Sequence, residues 1–323
     1  MTSPQLSTSS RLDWLPAARI QTVFAFAFYL FAFLTLGLMA LGSSTRVMNA
    51  GLSCPDWPLC FGALVPSEQM NLQVFLEWFH RLVASSIGFG MIAMNVAIFF
   101  FRRQLPKWLP FAALGSLSLV IFQGVLGGLT VTQLLRFDIV TAHLATGLLF
   151  FSSLLAIATG LVDYKGTGSV GKLPWLGAIA VLCVYGQSIL GALVASRWAA
   201  HQCLADSQLC HVLTRHYWGV APATISVLLL LVLSFRTPAL HPWLRRATFV
   251  GSGLLLMQVA LGLSTLKFHL QLVALTVAHQ AVGASLLGVC LFFTLIALRD
   301  RAFQKNMQNS TDSVNASISP STV

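Results

Sequence analysis

Charge is what this sequence has least of. Nine residues of 323 are acidic and 19 are lysine or arginine, so charged side chains make up 9% of the chain against 56% hydrophobic ones. A soluble domain carries about a quarter charged residues, and a chain this poor in them cannot clothe a water-facing surface. Two patterns are missing as well. No C-x-x-C occurs among the six cysteines, which argues against a thioredoxin-like redox mechanism. No pair of Gly/Pro-broken apolar runs stands at matching positions in the two halves, where many transporters place their substrate site.

What is present is apolar sequence in long runs, with a mean hydropathy of +0.79. Spans of roughly 20 residues fall near 22–45, 74–101, 108–130, 140–161, 173–195, 217–235, 244–266 and 272–297. Eight spans put both termini on one side. Thirteen basic residues, from Arg11 to Lys305, fall on that side, while Arg46, Arg81, Arg136, Arg197, Arg215 and Lys267 lie on or near the other. This bias makes the termini cytoplasmic in expectation and the intervening loops external. The net charge of +10 therefore reports topology and implies no nucleic-acid partner.

Residues 1–21 read as a polar cytoplasmic N-terminus followed by an uncleaved first span, and 299–323 as a disordered cytoplasmic tail. Without a long Arg/Ser-rich presequence, the expected location is a bacterial inner (plasma) membrane rather than a mitochondrial one.

The chain repeats itself. Cys54 follows Gly42 by twelve residues, and Cys203 follows Gly191 by twelve; His80 and His143 are 63 residues apart, as are His216 and His279. All four histidines open even-numbered spans at the outer end. Odd spans share "QGVLGGLT" from Gln123, "QSILGALV" from Gln187 and "QVALGLST" from Gln258, small-residue stretches that let helices pack closely in lipid. The fold class expected is all-α integral membrane, with eight transmembrane helices as two tandem four-helix bundles: 22–162, a linker at 163–172, and 173–298.

Two histidines per half, on different helices at equal depth, suit bis-histidine ligation of a haem iron. A lone histidine of this kind is as often an interfacial hydrogen-bonding residue, but four in one register point to ligation. No carboxylate or cysteine completes a compact ion site, which favours haem over a bare metal. Small residues follow a turn inward: Ala84, Gly147 and Gly283, with Val220 breaking the pattern after His216 and Gly219 beside it. His201, His211, His241 and His269 have no repeat partners, though His211 lies near the second pair.

Cys54 with Cys60, and Cys203 with Cys210, sit in the outer loops, where disulfides persist. A structural bridge in each loop is the preferred reading and a redox-active pair the alternative. Cys183 and Cys290 read as core residues. Glu77 occurs in "EWFHRL" one turn before His80, and the position 136 residues on is Leu213. An acid beside one histidine pair only suggests proton transfer in a catalytic first half; ion pairing with Arg81 is the plainer role.

"STRVMNAGLSCPDWPLCFG", "EWFHRLVASSIGF", "TAHLATG" and "VAHQAVG" closely resemble the haem A synthase family over nearly all eight spans. The resemblance implies that His80 and His143 bracket a substrate, haem O, with Glu77 as the essential acid, and that His216 and His279 hold a permanent haem b. It implies oxidation of the C8 methyl of haem O to the formyl of haem A through haem I. Haem O synthase as the supplier, an unidentified electron acceptor and a homo-oligomer are partners compatible with it. Many relatives place an arginine after the third histidine; here Tyr217 follows His216 and Arg215 precedes it. A di-haem b-type electron-transfer cytochrome and a haem carrier are the competing readings.

Overall fold

The computed structural model describes residues 17–196, 208–268 and 271–318, with the backbone alone at 196, 208–210 and 310–318. Its helices are α1 (Ala17–Val47), α2 (Leu72–Phe101), α3 (Leu109–Thr132), α4 (Phe137–Leu161), α5 (Leu173–Ser196), α6 (Gln208–Arg236), α7 (Pro242–Lys267) and α8 (Val273–Ile318). Among the described residues the only β pairing is an isolated bridge between Cys60 and Ala63. All eight helices are long and apolar enough to cross a membrane, the solution that satisfies backbone polar groups within lipid. Phe26, Phe33, Phe89, Phe111 and Leu182 point outward and exposed; such faces would aggregate in water and are solvated by acyl chains. The chain is a multi-pass membrane protein.

Local chemistry sets the helix ends. Asn71 caps α2 by accepting from the Val74 N–H at 3.0 Å, and His241 caps α7 by accepting from the Trp243 N–H at 3.2 Å. Pro110 and Pro242 occupy first-turn positions, where a missing N–H costs nothing. Two boundaries differ from those that hydropathy suggests. α6 begins at Gln208 rather than near 217, because its first two turns carry polar side chains that a hydropathy window discounts and a helix accepts. The tail expected to be disordered continues α8 as helix to Ile318; residues 299–318 contain neither glycine nor proline to stop it.

Packing closes two rings of four. α1, α2, α3 and α4 contact one another in sequence and α4 returns to α1, while α5 to α8 do the same. The first ring buries a core that includes Phe28, Met91, Ile98 and Leu154, the second one that includes Leu231, Leu244, Leu287 and Ile296. The rings join through α1, α4, α5 and α8. At that seam the Phe151 ring of α4 lies on Gly288 of α8, where a Cβ would come within 2.9 Å of Phe151 Cζ.

Polar ties fasten both ends. At the termini end, Gln21 Nε2 donates to Leu161 O at 2.7 Å, and Arg299 donates to Thr159 O at 2.7 Å and Val162 O at 2.8 Å. The carboxylate of Asp300, fully buried, accepts from the Gly168 N–H at 2.8 Å and from Thr167 Oγ1 at 3.2 Å. The 163–172 segment is thus held against α8. At the opposite end, Arg46 of α1 donates to Gln280 Oε1 of α8 at 3.1 Å, linking the two rings beside His279.

Candidate functional site: two histidine pairs and a disulfide loop

His80, His143, His216 and His279 each lie about two turns inside the N-terminus of α2, α4, α6 or α8. All four are half-buried. His80 and His143 are within electrostatic reach of each other in the first ring, and His216 and His279 in the second. The structure thus brings together the pairs that the 63-residue spacing groups. His211 is exposed on the first turns of α6, and His241 serves as the cap of α7 at the termini end. His201 and His269 lie outside the described residues.

Each imidazole rests on a glycine of the helix preceding it in the chain. A Cβ on Gly42 would stand 2.9 Å from His80 Cε1, on Gly127 3.5 Å from His143 Cε1, on Gly191 3.3 Å from His216 Cε1, and on Gly262 3.1 Å from His279 Cε1. A side chain at any of these positions would enter the space beside the ring, so glycine lets the ring lie against backbone. Three of the four glycines follow a glutamine by four residues, one turn away on the same face. Gln123 Nε2 donates to His143 O at 2.9 Å and bonds Thr146 Oγ1. Gln187 Nε2 donates to His216 O at 2.9 Å and sits 3.0 Å from His216 Nδ1; Gln258 Nε2 lies 3.4 Å from His279 Nε2.

The glutamines in turn occupy notches a turn inward from the histidines. Gly147 faces Gln123, Gly219 faces Gln187 and Gly283 faces Gln258. This accounts for the irregularity after His216: Gly219, not residue 220, receives the partner helix. Arg215 and Tyr217, which flank His216, are both exposed.

Over the first pair lies the loop between α1 and α2, closed by a disulfide from Cys54 to Cys60 with Cα atoms 4.8 Å apart. Glu77, only 4% exposed, accepts from the Cys54 N–H at 2.8 Å through Oε2 and pairs with Arg81 through Oε1. Arg81 also donates to Asp56 O at 2.6 Å, Leu59 O at 2.5 Å and Cys54 O at 3.3 Å. Trp78 Nε1 donates to Leu64 O at 2.8 Å. On the far side the Trp57 indole lies on α3, where a Cβ at Gly128 would be 3.2 Å from its ring. Within the loop, Asp56 accepts from the N–H groups of Phe61 at 2.7 Å and Gly62 at 2.8 Å. These bonds, the one from Gly62 foremost, hold the Asp56 carboxyl below its ordinary pKa. One helical face of α2, at positions 77, 78 and 81, therefore grips the whole loop next to His80.

Cys203 lies outside the described residues, as does the side chain of Cys210. Cys183 is half-buried and Cys290 buried, both as free thiols within helices.

The donor set suits a flat group held between two helices better than a compact ion. Among the described residues no group of three or more His, Cys, Asp or Glu is placed to hold a metal ion, as zinc-type sites require. Each ring offers two imidazoles with glycine backs. Nδ1 of His80, His143 and His279 is buried without a hydrogen-bond partner among the described residues. A buried polar atom left this way costs about 1–3 kcal/mol, a penalty characteristic of functional positions.

From sequence alone the small residues of the odd spans read as packing and Gly42 and Gly191 as repeat markers, while the glutamines carry no assigned role. Their alignment with the histidines was open to inspection: in three of the four helix pairs a glutamine and a glycine four residues apart precede a histidine that is followed by a glycine.

Comparison with known proteins identifies the family. Residues 25–291 match the family model described as cytochrome oxidase assembly protein. Heme A synthase of Shewanella oneidensis is 29% identical, the match covering 93% of this chain and 99% of that protein. Heme A synthase of Caulobacter vibrioides is 28% identical over 82% of this chain and 93% of its own length. That of Novosphingobium aromaticivorans is 26% identical over 87% and 95%. With the model spanning all but the ends of the chain and reaching from α1 into α8, the protein belongs to the COX15-CtaA family of cytochrome oxidase assembly proteins.

Proposed function

We propose that this protein is a haem A synthase, an oxidoreductase that converts the C8 methyl of haem O to the formyl of haem A by two successive oxidations through haem I. The observation that carries the reading is the asymmetry between two otherwise matched histidine pairs, of which, among the described residues, only the first has a buried acid beside it. Similarity to heme A synthases over nearly the whole chain supports it. In this proposal His80 and His143 hold the substrate haem O, and His216 and His279 hold a haem b. Haem b, when bound, supplies one-electron redox capacity between the substrate site and an acceptor. The topology proposed places the termini in the cytoplasm and the Cys54–Cys60 loop on the outer face of the membrane.

The chain's own residues set the conditions. Glycine backs fix the rotation of each imidazole, and the glutamines fix the spacing of three helix pairs. Glu77 is the proposed catalytic acid. Each of its oxygens already accepts a hydrogen bond, from the Cys54 N–H or from Arg81, and keeps a second lone pair that can take a proton. Protonation would remove the charge that holds Arg81, which couples proton transfer to the seat of the disulfide loop. The loop is seated on α2 within a turn of His80 and on α3 at Gly128, next to the glycine that backs His143.

The test is acid extraction and mass spectrometry of haems from protein purified after co-expression with a haem O source. Haem b together with haem O, haem I or haem A supports the synthase. Haem b alone at two per chain identifies an electron-transfer cytochrome instead. Glu77→Ala is expected to keep haem b and to stall oxidation of haem O; loss of haem b with synthesis intact would reverse the assignment of the two rings.

A further inference from the structure

Comparison of the four helix pairs within the chain exposes one exception. α3, α5 and α7 each present a glutamine four residues before the glycine that backs a histidine, and α4, α6 and α8 each carry a glycine notch that receives it. On α1 the position four before Gly42 is Leu38, packed among apolar neighbours, and on α2 the notch position is Ala84. Donor and receptacle are missing together. The α1–α2 pair therefore lacks the amide that joins a histidine-bearing helix to its partner in the other three.

What fastens α2 instead is the disulfide loop, through Glu77, Trp78 and Arg81. Toward α1 the nearest polar tie is Thr45 Oγ1 to Leu76 O at 3.4 Å, a bond shared with Leu41 O at 3.0 Å. Farther along the same seam the two helices part around an apolar groove of about 460 Å³ lined by residues including Phe24, Ala27, Phe31, Met94 and Ala97.

We infer that His80 is the exchangeable ligand of the four, carried on a helix that moves with the disulfide loop, and that the absent Leu38 amide is the device that lets one ring release its haem while the other keeps it. This rests on the haem-binding reading above. A site that must take in substrate and give up product needs one ligand whose withdrawal is cheap, whereas a permanent site needs both held. Leu38 and Ala84 are positioning residues in this scheme, acting through the α1–α2 spacing. The glutamine pattern separates the two rings as sharply as Glu77 does, and it does so independently.

The measurement is haem release from the full-length protein, loaded with haem b in detergent and challenged with excess apomyoglobin, followed by Soret absorbance. His216→Ala with His279→Ala isolates the first pair, and His80→Ala with His143→Ala the second. The first pair is expected to release haem at least about fivefold faster, the effect of one interhelical hydrogen bond. Leu38→Gln with Ala84→Gly should slow the first pair by about the same factor. Gln187→Leu and Gln258→Leu should each speed the second pair about fivefold, which keeps the inference testable if the Leu38 variant does not fold. Equal release from both pairs, or glutamine variants that leave the second pair unchanged, would overturn it. If neither pair retains haem with a six-coordinate spectrum, the haem-binding reading itself fails, an outcome distinct from equal release.

Discussion

Replacing Arg81 with methionine isolates the contribution of the clamp on the disulfide loop. The side chain keeps most of its apolar stem and loses a guanidinium that meets Glu77 and three loop carbonyls. Removing one partner of a buried ion pair costs about 3–5 kcal/mol, because the other charge is stranded. Arg81 is 14% exposed and Glu77 5% at the side chain, so water relieves part of that, and about 3 kcal/mol is the appropriate figure. The three carbonyls add little, since an opened loop hands them to water. At RT of about 0.59 kcal/mol, 3 kcal/mol shifts the opening equilibrium of the loop about 150-fold. Cys54 and Cys60 are 0% and 2% exposed, so a reductant reaches their disulfide only from the open form. Reduction by a water-soluble phosphine, read as alkylated mass, should therefore accelerate by about two orders of magnitude in Arg81→Met. Glu77→Gln should accelerate it too, and the double variant should fall well short of the product of the two singles. Reduction of Arg81→Met at the wild-type rate would refute the clamp.

Gly42→Ala and Gly127→Ala form a matched contrast. The first Cβ would lie 2.9 Å from His80 Cε1 and the second 3.5 Å from His143 Cε1, so only Gly42→Ala should displace its ring, weakening haem retention at the first pair by about tenfold on an overpacking cost of 1–3 kcal/mol. Equal retention in the two variants would remove the cradle role of Gly42. Asp56 gives a pH dependence of known sign. Its folded pKa lies below the ordinary 3.8, so its contribution to loop order is complete above 3.8 and is lost as pH falls through the depressed value. Phosphine reduction, normalised to a model disulfide, should be flat from neutral pH to about 4.5 and rise below 3.8, with a smaller rise in Asp56→Asn. An equal rise in Asp56→Asn would place the acid sensitivity elsewhere.

Hydropathy located the spans because a membrane helix must declare itself in about 20 consecutive residues. It misplaced the start of α6 because Thr214, Arg215 and His216 lower the window average without weakening the helix. The histidine pairs were legible from spacing alone, since side chains at equal depth on neighbouring helices recur at fixed intervals. The ion pair of Glu77 with Arg81 was legible as an i, i+4 contact. That the second oxygen of Glu77 holds the Cys54 N–H was not, because it depends on the path of a loop 23 residues away. Gly42, Gly127, Gly191 and Gly262 were visible as small residues, but whether a glycine meets lipid, a core side chain or an imidazole depends on helix rotation, which composition does not record. The glutamines went unread for a related reason: an amide in an apolar span signals a buried hydrogen bond without naming its partner.

The backing of His80, His143, His216 and His279 by the helix just before each has a genealogical consequence. A hairpin of two helices carries one of these histidines together with the glycine that backs it, and such a hairpin can be copied without losing either part. Under the proposed haem binding, a single hairpin would offer one face to a planar group, so two would be the minimum. Four copies in one chain are what two rounds of duplication from a self-pairing ancestor would leave behind. On that account the first hairpin, alone in bearing leucine and alanine where its sisters bear glutamine and glycine, is the copy that diverged toward a different task.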